Sequence, residues 1–176
     1  MCGISGFLDM NGGSSELILK KMTEALAHRG PDGEGLLYFD NNGKSVGLGH
    51  RRLSVIDVSE NGAQPRSFGN LHITFNGEIY NYKEVRELLY KEGMNFESES
   101  DTEVLLKAYS RWGADCLNKL IGMFAFVIYD STDSSFFCAR DRAGVKPFYY
   151  YHHHGLFLFA SELKSFHEHP GFRKDI

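Results

Sequence analysis

A chain of 176 residues with 19 basic and 23 acidic side chains, net charge −4, is long enough for one domain with a sizeable core. That balance offers no basic surface for a nucleic acid or an anionic membrane, and no apolar run approaches the ~18 residues of a spanning helix, so a soluble protein is expected. Three cysteines, Cys2, Cys116 and Cys138, form no C-x-x-C pair, which argues against a disulfide framework or a zinc site and makes cytoplasm the natural compartment.

The chain opens MCGISGF. Cys2 either begins a buried strand, since free cysteine is among the most buried residue types, or is a nucleophile uncovered by removal of Met1. In the second case one residue carries both a thiol and an α-amine. That amine has an ordinary pKa of roughly 7.7 to 8 and can serve as a general base at neutral pH. After the strand CGISGFLD, the segment SSELILKKMTEALAHRG predicts an amphipathic helix with Ile18, Met22, Ala25 and Leu26 on one stripe. Ser14 or Ser15 is its cap, and Gly30-Pro31 its stop.

Strands are expected next in EGLLYFD, KSVGLGHRRLSVID and LHITFNG. NYKEVRELLYKEG predicts a second helix facing Tyr82, Val85, Leu88 and Leu89 inward. DTEVLLKAYSRWG predicts a third, facing Leu105, Ala108, Tyr109 and Trp112 inward. GMFAFVIYD, SSFFCARD, KPFYYYHH and GLFLFASE read as consecutive hairpin-like pairs. MFAFVIY is apolar throughout, as in a strand covered on both faces. Cys116 and Cys138 are expected to be inert core residues. His152, His153 and His154 alternate in direction along a strand end and do not converge easily on one ion. Segregated helices and hairpins argue for an α+β layered domain with antiparallel sheet.

A thiol nucleophile acting on an amide needs an oxyanion hole and groups that hold the substrate. In TFNGEIYN, Asn76 offers an amide donor and Gly77 lets its N–H approach an oxyanion, although Asn-Gly by itself most often marks a turn. In GLGHRRLSVID, Arg51 and Arg52 must face opposite ways, so one of them can point into a pocket and hold a carboxylate by two parallel hydrogen bonds. Asp101, in SESDTEV, is either a helix cap or, with Glu78, a receptor for an ammonium group.

The series CGISGF, HRGPDGEG, HRRLSVID, FNGEIYN, SDTEVLL, GMFAFVIYD and ARDRAGVKPFYY resembles the glutaminase domain of glutamine-hydrolysing asparagine synthetases, in the family order and over nearly the whole chain. The resemblance implies a glutaminase domain over residues 1–176 with the N-terminal nucleophile hydrolase fold, a four-layer αββα sandwich of two antiparallel sheets between helices. It implies that Cys2 attacks the side-chain carbonyl of L-glutamine, forms a thioester and releases ammonia. Asn76 and Gly77 would form the oxyanion hole, and Arg52 would bind the α-carboxylate, with Leu53, Ser54, Val55 and Ile56 completing the wall. Glu78 and Asp101 would receive the α-ammonium, and His28 to Asp32 would border the pocket. No cofactor is expected in this domain. ATP and magnesium belong to a C-terminal synthetase domain, the implied partner, whose phosphate-binding motif is missing here. A domain that binds glutamine or a partner without turning it over is the competing reading.

Overall fold

The computed structural model describes residues 1–41, 43–53 and 62–174, residue 41 by its backbone alone. Contacts divide the chain into two compact units, Met1–Leu53 with Pro147–Ile176, and Ser54–Lys146.

The first unit is built on a five-stranded sheet of β1 (Gly3–Asp9), β2 (Gly33–Asn41), β3 (Lys44–Arg52), β8 (Tyr149–His153) and β9 (Leu156–Ala160), in the order β2-β3-β1-β9-β8. Every neighbouring pair is antiparallel. Helix α1 (Glu16–Glu24) starts where the Ser15 hydroxyl accepts from the N–H of Ile18 at 3.4 Å, which selects Ser15 over Ser14 as the cap. Ser14 is buried instead, donating to Asp9 Oδ2 at 2.7 Å and bonded to His169 Nε2 at 2.8 Å. The helix buries Leu19 and Met22 against Phe7, Leu158, Ala160 and Phe166. It lies close to β3 because Gly47 and Gly49 carry no Cβ, which at Gly49 would strike the Thr23 hydroxyl. The helix ends earlier than the apolar stripe suggests. Ala27–Arg29 tightens into a 3₁₀ turn before Gly30.

The second unit has a four-stranded antiparallel sheet, β4 (Arg66–Phe68), β5 (Leu71–Ile79), β6 (Gly122–Asp130) and β7 (Ser135–Arg140), in sequential order. Helices α2 (Tyr82–Lys91) and α3 (Asp101–Trp112) join it in one core. There Ile73, Phe75, Ile79, Phe124, Phe126 and Ile128 meet Val85, Leu89, Val104, Leu105 and Ala108. Phe124 to Tyr129 are all buried, as the unbroken apolar run of β6 requires. The four predicted C-terminal strands do form two hairpins, β6-β7 and β8-β9, but these belong to different sheets.

Two expectations change. Leu88 is 45% exposed, because α2 buries only the narrow stripe of Val85 and Leu89, one turn apart. Strand β4, three residues long, had no periodicity by which to be seen. The remainder of LSVID, Ser54 onward, lies outside the described residues. Cys116 is buried, and burial pushes its thiol up to about 11 and that of Cys138 up to about 12, so both remain protonated and inert. His152 and His153 stand opposite Phe157 and Leu156 in the β8-β9 hairpin, and His154 is in the turn.

The approach to α3 is held by a buried ionic network. Glu103 accepts from Lys107 Nζ at 2.7 Å, Arg66 Nη2 at 3.1 Å, the Ser98 hydroxyl at 2.6 Å, and the N–H groups of Ser98 and Glu97 at 2.8 and 3.0 Å. Burial pushes the Glu103 carboxyl up, but these donors outweigh it and hold it at about 2, below the ordinary 4.5. A carboxylate depressed on folding contributes stability above its unfolded pKa that is lost as pH falls toward the folded one. Glu103→Gln is expected to cost about 2–3 kcal/mol at pH 7. The gap to wild type should close between pH 4.5 and about 2. Denaturant titrations across that range check this; a gap that stays constant down to pH 2 would contradict the assignment.

Candidate active site

Cys2 is half-buried immediately before β1. Its Sγ accepts from the N–H of Leu53 at 3.4 Å and its thiol reaches the Leu53 carbonyl at 3.6 Å. Arg29 Nε donates to the Cys2 carbonyl at 3.0 Å, while Arg29 Nη1 pairs with Glu162 at 3.0 Å. The position of the thiol is therefore set by groups from the 3₁₀ turn and the end of β3. Arg29, read from sequence only as part of a bordering loop, grips the backbone of the candidate nucleophile's own residue.

The two arginines separate as strand alternation demands. Arg51 is bound to the Gly30 carbonyl at 3.1 Å and to Glu34 at 2.9 Å. In the sheet, Gly3 stands opposite Arg51. Continuing that register by one residue sets Cys2 beside Arg52, with both side chains on the face that Arg51 does not use. The structure thus brings together Cys2 and Leu53, with Arg52 the residue before Leu53 at the end of β3. Ser54, Val55 and Ile56 lie outside the described residues.

In the second unit the strand β5 carries the other candidates. Asn76 is 1% exposed, and its Nδ2 is buried without a hydrogen-bond partner among the described residues. Burying an amide donor unpaired costs on the order of 1–3 kcal/mol, so such a group marks a place where a ligand acceptor belongs.

The backbone beside it is also committed in an unusual way. The N–H of Phe75 donates to Gln64 Oε1 at 2.7 Å and that of Ile79 to Asp101 Oδ2 at 3.1 Å. Both therefore point to the edge of β5 away from β6. Gly77, between them, points the same way. The partner across β6 confirms the parity, since Phe124 exchanges its bonds with Asp141 on the far side, its N–H donating to Asp141 Oδ2 at 3.1 Å. Strand β4 pairs only with Leu71 to Ile73. The N–H of Gly77 is thus left off both ladders, on a partly exposed residue. Glycine is required there, because a Cβ would strike the Met123 carbonyl and come within 2.7 Å of Phe124 Cα.

Asp101 is the first residue of α3. Ser100 takes the capping role, accepting from the N–H of Thr102 at 3.2 Å, which leaves the Asp101 carboxylate to bind Ile79. Burial pushes that carboxyl up from 3.8 to about 6; the N–H groups of Ile79 and Thr102 pull it down, and the charge of Glu78 pushes it further up. The second unit therefore brings together Asn76, Gly77, Glu78 and Asp101: two donors suited to an oxyanion and two carboxylates suited to a cation. Among the described residues, no group of three His, Cys, Asp or Glu is placed to hold a metal ion, and no helix is long and apolar enough to cross a membrane. Sequence reasoning missed Gln64 and Glu103, which act through the chain around them.

A carboxyl raised on folding makes the native state bind its proton more tightly than the unfolded chain, so stability falls as pH rises from about 4 to about 6. Asp101→Asn is expected to melt a few degrees above wild type at pH 7, with the difference gone at pH 4. Thermal scans at the two pH values check this, and a variant that melts lower at both would contradict the buried-charge assignment.

A family profile described as a glutamine amidotransferase domain matches residues 1–176. The chain is 42% identical to a putative glutamine-hydrolysing asparagine synthetase 2 of Methanocaldococcus jannaschii, over 93% of this chain and 34% of that protein. It is 45% identical to glutamine-hydrolysing asparagine synthetase 1 of Bacillus subtilis, over 94% of this chain and 26% of that protein. The chain thus spans about a third or less of the curated relatives it matches. A solved structure described as the allosteric regulatory enzyme of purine biosynthesis superposes with a TM-score of 0.80 at 24% identity, over 95% of this chain and 43% of that one, which shows a shared fold.

Proposed function

The chain belongs to the glutamine amidotransferase domain family, in its asparagine synthetase-like branch, and from that membership we propose that it hydrolyses glutamine to glutamate and ammonia through Cys2. The observation that carries this reading is Asn76 Nδ2, buried without a hydrogen-bond partner among the described residues, next to the N–H of Gly77, which strand parity turns away from β6. Two such donors suit an oxygen that becomes negative as a tetrahedral intermediate forms.

Removal of Met1 gives Cys2 a free α-amine, which takes the thiol proton as Sγ attacks the side-chain amide carbon of glutamine. The amide oxygen gains the negative charge and is received by Asn76 Nδ2 and the Gly77 N–H. Collapse of the intermediate breaks the C–N bond, and the amine proton goes to the departing nitrogen, which leaves as ammonia. Water then attacks the thioester, with the same amine as base, and glutamate departs with the Cys2 thiol restored. Arg52 holds the α-carboxylate, with Leu53 to Ile56 as wall, and Asp101 and Glu78 hold the α-ammonium. None of these steps requires a cofactor.

The ammonia is intended for an ATP-dependent synthetase domain that uses magnesium and activates an acceptor carboxylate, aspartate by default, in the cytoplasm. The relatives bearing the synthetase name are about three to four times longer than the region matched here.

The deciding experiment is glutamate release from glutamine without ATP, with intact mass recorded on the same preparation. The expected result is turnover by a chain lacking Met1. Full activity with Met1 retained would overturn the N-terminal base, and no glutamate under any condition would favour the idle glutamine-binding reading. Cys2→Ala should abolish release while circular dichroism stays unchanged, because a small side chain at the chain's start is lost; residual turnover within about tenfold of wild type would exclude Cys2 as nucleophile.

The arginines should separate by effect. Arg52→Ala is expected to raise the KM for glutamine by about tenfold or more with a smaller effect on kcat. Arg51→Ala loses its bonds to Glu34 and Gly30, and should lower Tm while leaving KM near wild type. Steady-state kinetics and melting of both variants check this; a silent Arg52→Ala with a damaged Arg51→Ala would reverse the assignment.

A further inference from the structure

We infer that Gln64 is a positioning residue for this reaction, the group that takes up the β5 edge at Phe75, past the last β4 pair at Ile73, and so keeps the oxyanion donor at Gly77 open. The inference rests on the reading of Asn76 and Gly77 given above. Strand β4 runs antiparallel to β5, with Arg66 opposite Ile73. Had the ladder continued, residue 64 would stand opposite Phe75 and residue 62 opposite Gly77, whose N–H would then be consumed by a strand bond. Instead the side chain of Gln64 takes the place of a backbone, its Oε1 accepting from the N–H of Phe75 at 2.7 Å.

The other end of the same amide is also occupied. Gln64 Nε2 donates to the hydroxyl of Thr102 at 3.2 Å, one residue after Asp101 in the first turn of α3. One side chain thus braces the strand that carries Asn76 and Gly77 and the helix turn that carries Asp101. Asp101 Oδ2 closes the frame at Ile79. The N–H groups of Phe75 and Ile79 are pinned on either side of Gly77, which fixes where the Gly77 N–H points. Gln64 does not touch the reacting atoms in this arrangement. It acts by orienting a donor, and a displaced oxyanion donor weakens transition-state binding more than ground-state binding.

Three variants of this chain and one probe test the inference. The probe is the γ-aldehyde analogue of glutamate, which forms a tetrahedral adduct with a thiol and needs the same donors. Gln64→Leu removes the acceptor for Phe75. It should lower kcat by about tenfold to a hundredfold and weaken aldehyde inhibition by a similar factor, with the KM for glutamine within about threefold. Gln64→Glu retains an acceptor and should recover kcat to within about threefold of wild type. Gln64→Asn, the variant least disruptive to folding, is too short to bridge Phe75 and Thr102 and should fall in the same direction as Gln64→Leu. If Gln64→Leu and Gln64→Asn keep wild-type kcat and aldehyde affinity and merely melt earlier, Gln64 is a structural brace and the inference is overturned. If wild type itself releases no glutamate, the underlying functional reading has failed instead.

Discussion

The hydrogen bond from the N–H of Ile79 to the carboxylate of Asp101 is the interaction on which the candidate oxyanion site depends. An edge strand ordinarily gives its outer N–H groups to a neighbouring strand or to water. Here β5 gives them to two side chains instead, Gln64 at Phe75 and Asp101 at Ile79. What remains between is the N–H of Gly77, with Asn76 one residue before it, its Nδ2 unpartnered among the described residues. A sheet edge becomes a pair of donors because side chains stop the ladder at chosen places.

This arrangement is maintained at a cost in stability. Asp101 is ionised only against burial, which pushes its carboxyl up to about 6, and Asn76 keeps a buried donor unsatisfied. The neighbouring ionic network offsets part of that cost. Glu103 collects Lys107, Arg66 and the chain at Glu97 and Ser98, and so fixes the loop that delivers Ser100 and Asp101 to the helix start. Destabilised groups supported by a satisfied polar network are the physical signature of a site arranged for a ligand.

Much of this was legible in the sequence, and the limits are instructive. As candidates, Cys2 was visible from its place in the chain, Asn76-Gly77 from a strand running into a helix, and Asp101 from its position before an apolar periodic run. The strands showed because alternation and unbroken apolar runs are local properties, and the antiparallel α+β class followed from them. Leu88 misled because a helical wheel cannot tell how wide a stripe a short helix buries. Ser100 took the capping role that was one of two readings of Asp101, since neighbouring polar residues at a helix start compete for one position. Gln64 could not be read at all. Its role depends on the parity of a ladder with a three-residue strand, and parity is set by pairing across distant segments.

The most direct test of the account is nuclear magnetic resonance on the chain labelled with ¹⁵N, with the Asn76 side-chain amide and the backbone N–H groups of Phe75, Gly77 and Ile79 assigned, before and after the γ-aldehyde of glutamate is added. The account predicts that the Asn76 amide and Gly77 N–H signals shift strongly downfield and gain protection from exchange, that Phe75 and Ile79 barely move, and that Cys2→Ala abolishes the change. An Asn76 amide signal that stays in place while Cys2 forms its adduct would contradict it.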